Sequence, residues 1–376
     1  ISQFYIVRIG KIDSNRIGHF TMNMELYLCQ KNENINQPIK KTIDIFFHDK
    51  KICNYYFKKI VDRNLNIVPR FIFENIYFII KKLNLKKFIA ASDFADKDFY
   101  NLLESTNSFL SLTKDEIKLG RKLLLENYNI SHDSKIVCLT VRDDEYLKIT
   151  YPNKDWSYHD YRNCEIDNYV KSIEYLIEKG YYVFRVGKIT NKKINLNNPK
   201  LIDYANNKHR SDFLDVYLAH ACEFFINGNS GIEGMYALFR KPILRTNFTG
   251  MFKMDTGKKN HLYIFKLYQN KSTKKLQPFS LEKKSSKGYF DTNDLLKENL
   301  CIIENTSDEI LISTKEFLNL IIYGNDRRSN NEKELENKFR DMYTQSLKDG
   351  NFIYSTNVVN TRVCTKFLLK YKELIV

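Results

Sequence analysis

The sequence predicts an α/β protein built on parallel sheets, and three observations carry that expectation. Short apolar runs alternate with amphipathic stretches along most of the chain. The amphipathic stretch 166–180 leads directly into a second apolar run at 181–187, as a crossover helix between parallel strands does. Small and polar residues also gather where apolar runs end, above all in FFINGNSGIEGMYALFRKPILRTN at 224–247.

Taken in order, QFYIVRI (3–9), IDIFFH (43–48) and KFIAA (87–91) read as buried strands, with helical spacing near 51–62 and 71–83 between them. In SLTKDEIKLGRKLLLENYNI (111–130), Thr113 stands three residues before Glu116, a capping-box pattern that opens a helix. The polar turn SHDS (131–134) precedes a new strand, KIVCLTV (135–141), and we place a domain boundary there, between residues 133 and 134. IDNYVKSIEYLIEKG (166–180) has one apolar helical face and Gly180 as its stop. YYVFRVG (181–187), KLIDY (200–204), CEFFIN (222–227) and KPILRTN (241–247) are strands, joined in part by helices at 211–221 and 231–239. A polar, Lys-rich insertion is expected over about 251–290. Helices are expected near 307–322, 331–347 and 361–374. The expected organisation is a first domain over 1–133, a second over 134–355 and a C-terminal segment over 356–376.

The 376 residues suffice for two domains with cores of their own, and 43% hydrophobic with 14% aromatic content excludes a disordered chain. No stretch reaches the roughly 18 uninterrupted apolar residues of a spanning helix. FIFENIYFII (71–80) comes nearest and is broken by Glu74 and Asn75. The chain opens at Ile1 with strand-like FYIVRIG, so no signal peptide is expected, and a residue other than Met in first place implies trimming. Seven cysteines without a CxxC pair suggest reduced, buried thiols and no zinc site. The formal charge of +15 comes largely from lysines scattered among Asn and Ile, and no basic helix with interleaved aromatics accompanies it. Nucleic acid is therefore not an expected partner; a solvated surface with some attraction to phosphates or acidic lipid is.

Four constellations carry chemistry. The glycines of NGNSGIEG (227–234) fit a plain strand–turn–helix capped by Ser230 about as well as a phosphate cradle. In the cradle, Gly228 and Gly231 would let the backbone approach a diphosphate, with the amides of Asn229 and Ser230 beside it. In TVRDDEYLK (140–148), Arg142 closes a strand and offers a planar fork for phosphate, or pairs with Asp143 or Asp144. WSYHDYRNCEIDNY (156–169) crowds His159, Asp160, Arg162 and Asn163 into one loop, which requires mutual partners or a ligand. Arg185 stands inside an apolar strand and must meet a buried carboxylate or a ligand. Three arginines and a glycine turn in one α/β half tip the balance toward a bound nucleotide phosphate.

The series VR (142), HDYRN (159–163), YLIEKGYYVFRVGK (175–188), FFINGNSG (224–231) and KPI (241–243) resembles a family of bacterial glycosyltransferase-like proteins. The match covers about 135–247. More distantly, the Ser-Gly turn is similar to that of heptosyltransferases and the VR strand end to the arginine motif of fucosyltransferases. In the latter, further basic residues follow the arginine, where this chain has Asp143 and Asp144. The resemblance implies the GT-B architecture: two doubly wound Rossmann-like domains facing across a cleft, with a C-terminal helix crossing back to the first. It implies an inverting glycosyltransferase that needs no metal, with a UDP- or GDP-linked donor and a glycan or lipid-linked acceptor in surface-polysaccharide synthesis. Its implied place is the cytoplasm, peripheral at an anionic membrane face. A sugar-nucleotide epimerase of the same two-domain fold is the alternative. By resemblance, Arg142 would neutralise the departing diphosphate, and Arg162, Asn163, Arg185, Gly228, Asn229, Ser230 and Gly231 would line the donor site. Glu233 would meet the nucleotide's ribose or base. The first domain would bring the acceptor and general base through RIGKIDSNRIGHFTMNMELYL (8–28), with His19 and Asp13 the candidates and Asp93 and Asp96 in reserve.

Overall fold

The computed structural model describes residues 5–91, 96–255, 257–284, 291–324, 328–349 and 360–376. They form two compact units. One comprises Ile1–His132, Ser211–Ala221 and Gly231–Lys241; the other comprises Asp133–Arg210, Cys222–Ser230 and Pro242–Val376.

In the first unit β1 (Tyr5–Ile12), α1 (Ile17–Asn32), β2 (Lys41–His48), α2 (Tyr55–Asp62), β3 (Asn66–Ile67) and α3 (Arg70–Lys82) are followed by α4 (Leu102–Ser105) and α5 (Lys114–Tyr128). The strands form a parallel sheet in the order β1-β2-β3. Register places Arg8 opposite Asp44. Arg8 Nε lies 2.6 Å from Asp44 Oδ1, while Lys31 Nζ and Tyr27 Oη reach Asp44 Oδ2 at 2.8 and 2.5 Å. Burial alone would raise the Asp44 carboxyl, but these three donors hold it well below the usual carboxylate range.

KFIAA is not a third strand. Its lysines enter a 3-10 turn at Lys86–Phe88, and only Ile89 bridges to Ile9. The third strand is β3, two residues without an apolar run to announce it. The named strands run in chain order, and the chain then returns to the free edge of β1, where Ile89 bridges Ile9 in parallel, so the winding reverses there through a single bridge and not a full strand. In the stretch 8–28, Gly10 lies in β1 and Gly18 in α1, so the loop between the two elements holds no glycine. A Cβ at Gly10 would come within 2.3 Å of the Phe46 ring, which explains the missing side chain.

The second unit contains β4 (Ile136–Val141), α6 (Glu145–Thr150), α7 (Val170–Glu178), β5 (Tyr182–Arg185) and β6 (Leu201–Ile202). The chain then passes through α8 (Asp212–Ala221), β7 (Phe224–Gly228), α9 (Glu233–Leu238), β8 (Ile243–Phe248), β9 (His261–Phe265) and β10 (Leu267–Asn270). It ends with α10 (Thr292–Lys297), β11 (Leu300–Ile303), α11 (Ser307–Tyr323), α12 (Asn330–Asp349), β12 (Arg362–Val363) and α13 (Thr365–Lys370). Seven strands form a parallel sheet in the order β12-β9-β8-β7-β4-β5-β6. From β4 the chain winds outward through β5 and β6, then returns to β4's other side as β7 and winds the opposite way. This unit is doubly wound, and its direction reverses between β4 and β7.

Two expectations fail in the second unit. The polar insertion holds β9, a fully buried strand of the large sheet, because the run HLYIF is masked by Lys258, Lys259 and Lys266 around it. The C-terminal segment does not leave for the first unit. β12 pairs with β9, and Phe367 and Leu368 of α13 join the second unit's core. Glu316 of α11 holds α13's start, accepting from the Thr365 amide at 3.0 Å and from Arg362 Nη2 at 3.2 Å.

Helices α8 and α9, read from sequence as crossovers of the second half, group by their packing with the first unit. The Asp212 carboxylate accepts from the Tyr55 amide at 2.7 Å, and Tyr56 meets Phe213 edge to face at 4.7 Å. α1 and α9 approach closely: a Cβ at Gly234 would lie 2.6 Å from Thr21 Oγ1, and one at Gly18 2.6 Å from the Gly231 carbonyl.

Candidate functional site

In a doubly wound sheet, ligands bind outside the carboxyl ends of the strands where winding reverses, since neighbouring connections diverge there and leave a crevice. Here those strands are β4 and β7. They stay paired to their ends, the Arg142 amide donating to the Gly228 carbonyl at 3.0 Å. Beyond them come Arg142 on one strand and Asn229–Ser230 on the other. A Cβ at Gly228 would sit 2.7 Å from Tyr169 Oη and 3.0 Å from the Thr140 carbonyl, so the glycine is demanded by close approach. Tyr169 Oη is fixed in turn by Thr246 Oγ1 at 2.7 Å and by Asn247 Nδ2 at 3.0 Å.

Asn229 supplies the sharp turn, with φ at 63° in the left-handed region that Asn tolerates better than most residues. Its carbonyl accepts from Arg162 Nη2 at 3.0 Å, and its side-chain amide donates to Thr249 Oγ1 at 3.0 Å. The Ser230 amide donates to Asn227 Oδ1 at 2.9 Å. It is therefore already satisfied and does not offer itself to a phosphate, contrary to the amide cradle expected from the sequence. Ser230 does not cap a helix either. α9 begins at Glu233, its cap position is Ile232, and no side chain caps it. Gly231 and Glu233 belong to the first unit, and a Cβ at Gly231 would meet nothing.

The loop before α7 is tied to the same strand ends. The Cys164 amide donates to the Arg142 carbonyl at 2.9 Å, and Arg162 lies on the Asn229 carbonyl as above. Asn163 Nδ2 donates to Asp160 Oδ1 at 3.1 Å, while its Oδ1 is buried without a hydrogen-bond donor. Buried Lys266 donates to the Asn163 carbonyl and lies 4.0 Å from Glu304 Oε1. Sequence reasoning missed Lys266, although a lysine within the apolar run LYIFKLY (262–268) was as telling as Arg185 in its own strand. Burial pushes the Cys164 thiol up to about 12, so it is not a nucleophile at neutral pH. Burial, with Asp144 nearby, also raises the Asp160 carboxyl.

Arg185 answers its own question structurally. Only 1% exposed, it donates to the Lys192 carbonyl and lies 3.6 Å from Asp203 Oδ1. Burial lowers its pKa, against the pull of Asp203 and Asp143. We therefore remove it from the donor-contacting set. Asp143 accepts from the Asn191 and Glu145 amides at 2.9 and 3.2 Å, and Asp144 pairs with Lys148 at 2.7 Å. Both acids thus have partners other than the one the sequence suggested for them.

In the first unit, His19 stands in the first turn of α1, its Nδ1 3.8 Å from Asp96 Oδ2, with both side chains about a third exposed. Asp13 follows β1, accepting from Asn23 Nδ2 at 3.3 Å, with Lys11 Nζ at 3.7 Å. Asp93 lies outside the described residues. Among the described residues, no group of three or more His, Cys, Asp or Glu is placed to hold a metal ion, and no helix is long and apolar enough to cross a membrane. None of the seven cysteines is in a disulfide.

The fold and strand-end residues define an α/β chain with parallel sheets and polar residues gathered at the strand ends where its doubly wound unit reverses. No protein-family model matches the chain, and no curated protein matches it. Among solved structures, it is similar to that of E. coli ADP-heptose lps heptosyltransferase II, with 12% identity and a TM-score of 0.34, over 63% of this chain and 84% of that one. A likeness at that level carries no functional argument.

Proposed function

We propose that the chain is a glycosyltransferase that moves a sugar from a nucleotide-sugar donor to an acceptor hydroxyl. The observation that supports this most is the placement of Arg142 and the 228–230 turn after the two strands between which winding reverses. The sequence resemblance at VR, YRN and the Ser-Gly turn supports it independently. Arg142 and Arg162 would face the diphosphate, with Asn163 beside them. Gly228 and Asn229 shape the backbone there, and the amide of Ser230 takes no part. Gly231 and Glu233 keep the resemblance-based assignment to the donor.

In the reaction, an acceptor hydroxyl oxygen attacks the anomeric carbon. The bond from that carbon to the diphosphate breaks with its electron pair going to the nucleoside diphosphate, and the hydroxyl proton passes to a base, His19 or Asp13. Inversion follows from this single displacement. Arginine charge, not a metal ion, stabilises the leaving group. A UDP- or GDP-linked donor and a glycan or lipid-linked acceptor at the cytoplasmic membrane face complete the proposal.

Thermal-shift screening against UDP, GDP, ADP and CMP tests donor binding, since a bound nucleotide raises stability by mass action. Arg142→Ala should abolish donor turnover while circular dichroism and melting temperature stay unchanged. Full activity in that variant overturns the role of Arg142. Excess EDTA should leave the rate as it was, and loss of activity that added metal restores would overturn the metal-free chemistry. A donor converted to its epimer without acceptor would instead establish an epimerase.

A further inference from the structure

Helix α3 presents an apolar face that no described residue covers. Its inner face, with Phe73, Tyr77 and Ile80, is half buried, and Tyr77 packs edge to face on Phe47 of β2 at 5.6 Å. Its outer face carries Phe71, Ile72, Ile76, Phe78, Ile79 and, just beyond the helix, Leu83, all exposed. Phe71 is 80% exposed and Leu83 62%. No residue of this helix is fully buried, unlike α1, α2 and α5 of the same unit. An apolar patch of this kind on a folded chain marks a surface that something covers.

Charge identifies the occupant. Between residues 70 and 91 the chain has Arg70, Lys81, Lys82, Lys86 and Lys87 against one acid, Glu74. Glu74 is spent on Arg70 at 2.8 Å, leaving the four lysines at the C-terminal end of the helix uncompensated within this segment. A lipid surface is apolar beneath and anionic above, and a helix with this face and these flanks matches both layers. A helix of 13 residues is about 20 Å long, too short for a hydrocarbon core of about 30 Å, so it would lie in the plane.

We propose that α3 docks the protein flat on an anionic bilayer, with Phe71, Phe78 and Ile79 entering the acyl boundary and Lys81, Lys82, Lys86 and Lys87 meeting lipid phosphates. The inference deepens the membrane-face placement proposed above by naming the helix that would carry it, and its readout is vesicle binding, so it can fail while the transfer reaction stands. The test is flotation of the full chain with phosphatidylcholine vesicles, with and without phosphatidylglycerol, at low and high salt. Binding should require the anionic lipid and weaken with salt. The triple variant Phe71→Ser, Phe78→Ser, Ile79→Ser and the quadruple Lys→Gln variant at 81, 82, 86 and 87 should each bind at least roughly tenfold more weakly, with unchanged circular dichroism. The altered side chains are exposed, so folding is preserved. No binding by the unaltered chain, or undiminished binding by the triple variant, overturns the proposal. So does a concentration-dependent dimer in sedimentation that the triple variant abolishes while vesicles bind neither protein; the face would then cover a second copy.

Discussion

Gly228 and Gly231 look alike in NGNSGIEG and are not alike in the folded chain. At Gly228 an added methyl would collide with Tyr169 Oη and the Thr140 carbonyl, both held in place. Gly228→Ala should therefore cost about 1–3 kcal/mol, the usual range for overpacking. Gly231→Ala meets open space without a left-handed backbone, and its stability should stay within about 0.5 kcal/mol of the parent. Urea unfolding of the two variants checks the contrast, and equal losses would refute it. A sequence shows that glycines cluster, but the neighbour that makes one of them necessary comes from Tyr169, far along the chain. The Ser230 amide is a different case: its partner Asn227 is only three residues back, a local Asn-to-amide turn that the sequence permits but does not distinguish from a free amide. Arg185 was legible as a residue with a constraint, since an apolar strand does not tolerate an unpaired charge. Which of its two possible partners satisfied it was not.

Among elements, those with strong local chemistry were the ones legible in advance. The capping box of α5 forms as read, the Glu116 amide donating to Thr113 Oγ1 at 3.2 Å and the Thr113 amide to Glu116 Oε2 at 2.7 Å. Glu116 then gathers Arg63 at 2.7 Å and Tyr56 at 2.7 Å. Burial would raise its carboxyl, yet Arg63, the Thr113 amide and Tyr56 together bring it down from 4.5 to about 2. A carboxyl depressed in the folded state contributes stability above its unfolded pKa and loses it as pH falls through the folded one. Glu116→Gln should thus be less stable than the parent at neutral pH, and the gap should close between pH 4.5 and about 2. Thermal melts across that window measure it, and a gap independent of pH would sink the assignment. Elements of two residues, β3, β6 and β12, have no periodicity to read; β6 was legible only through the longer run KLIDY around it. β9 was missed for a different reason: charge on both flanks hid a run that is fully buried once β8 lies beside it.

For the molecule as a whole, the alternation of apolar and amphipathic runs foresaw an α/β chain with parallel sheets, and the second unit's sheet is larger than expected because β9 and β12 join it. The doubly wound pattern was correctly expected there. In the first unit the reversal comes down to one bridge on β1's other edge, since the third apolar run is mostly a turn. Net charge described the chain less well than charge placement does. The excess of +15 is spread widely, but the lysines after α3 stand beside an exposed apolar face, and only folding brings out that conjunction.

Left-handed turns use an unusual supply of residues in this chain. Ten non-glycine residues among those described have positive φ, and eight of them are asparagine, as at Asn84, Asn129 and Asn229. Asparagine tolerates that backbone only at some energetic cost, whereas glycine adopts it freely. Each exposed example is thus a point where the protein can be engineered upward. Asn84→Gly and Asn129→Gly, both at helix C-termini, should each raise stability by about 0.5 kcal/mol net of the added chain entropy, measurable as a later urea midpoint. Neither touches the candidate donor residues, so thermostable versions for ligand screening can be made without altering what is screened.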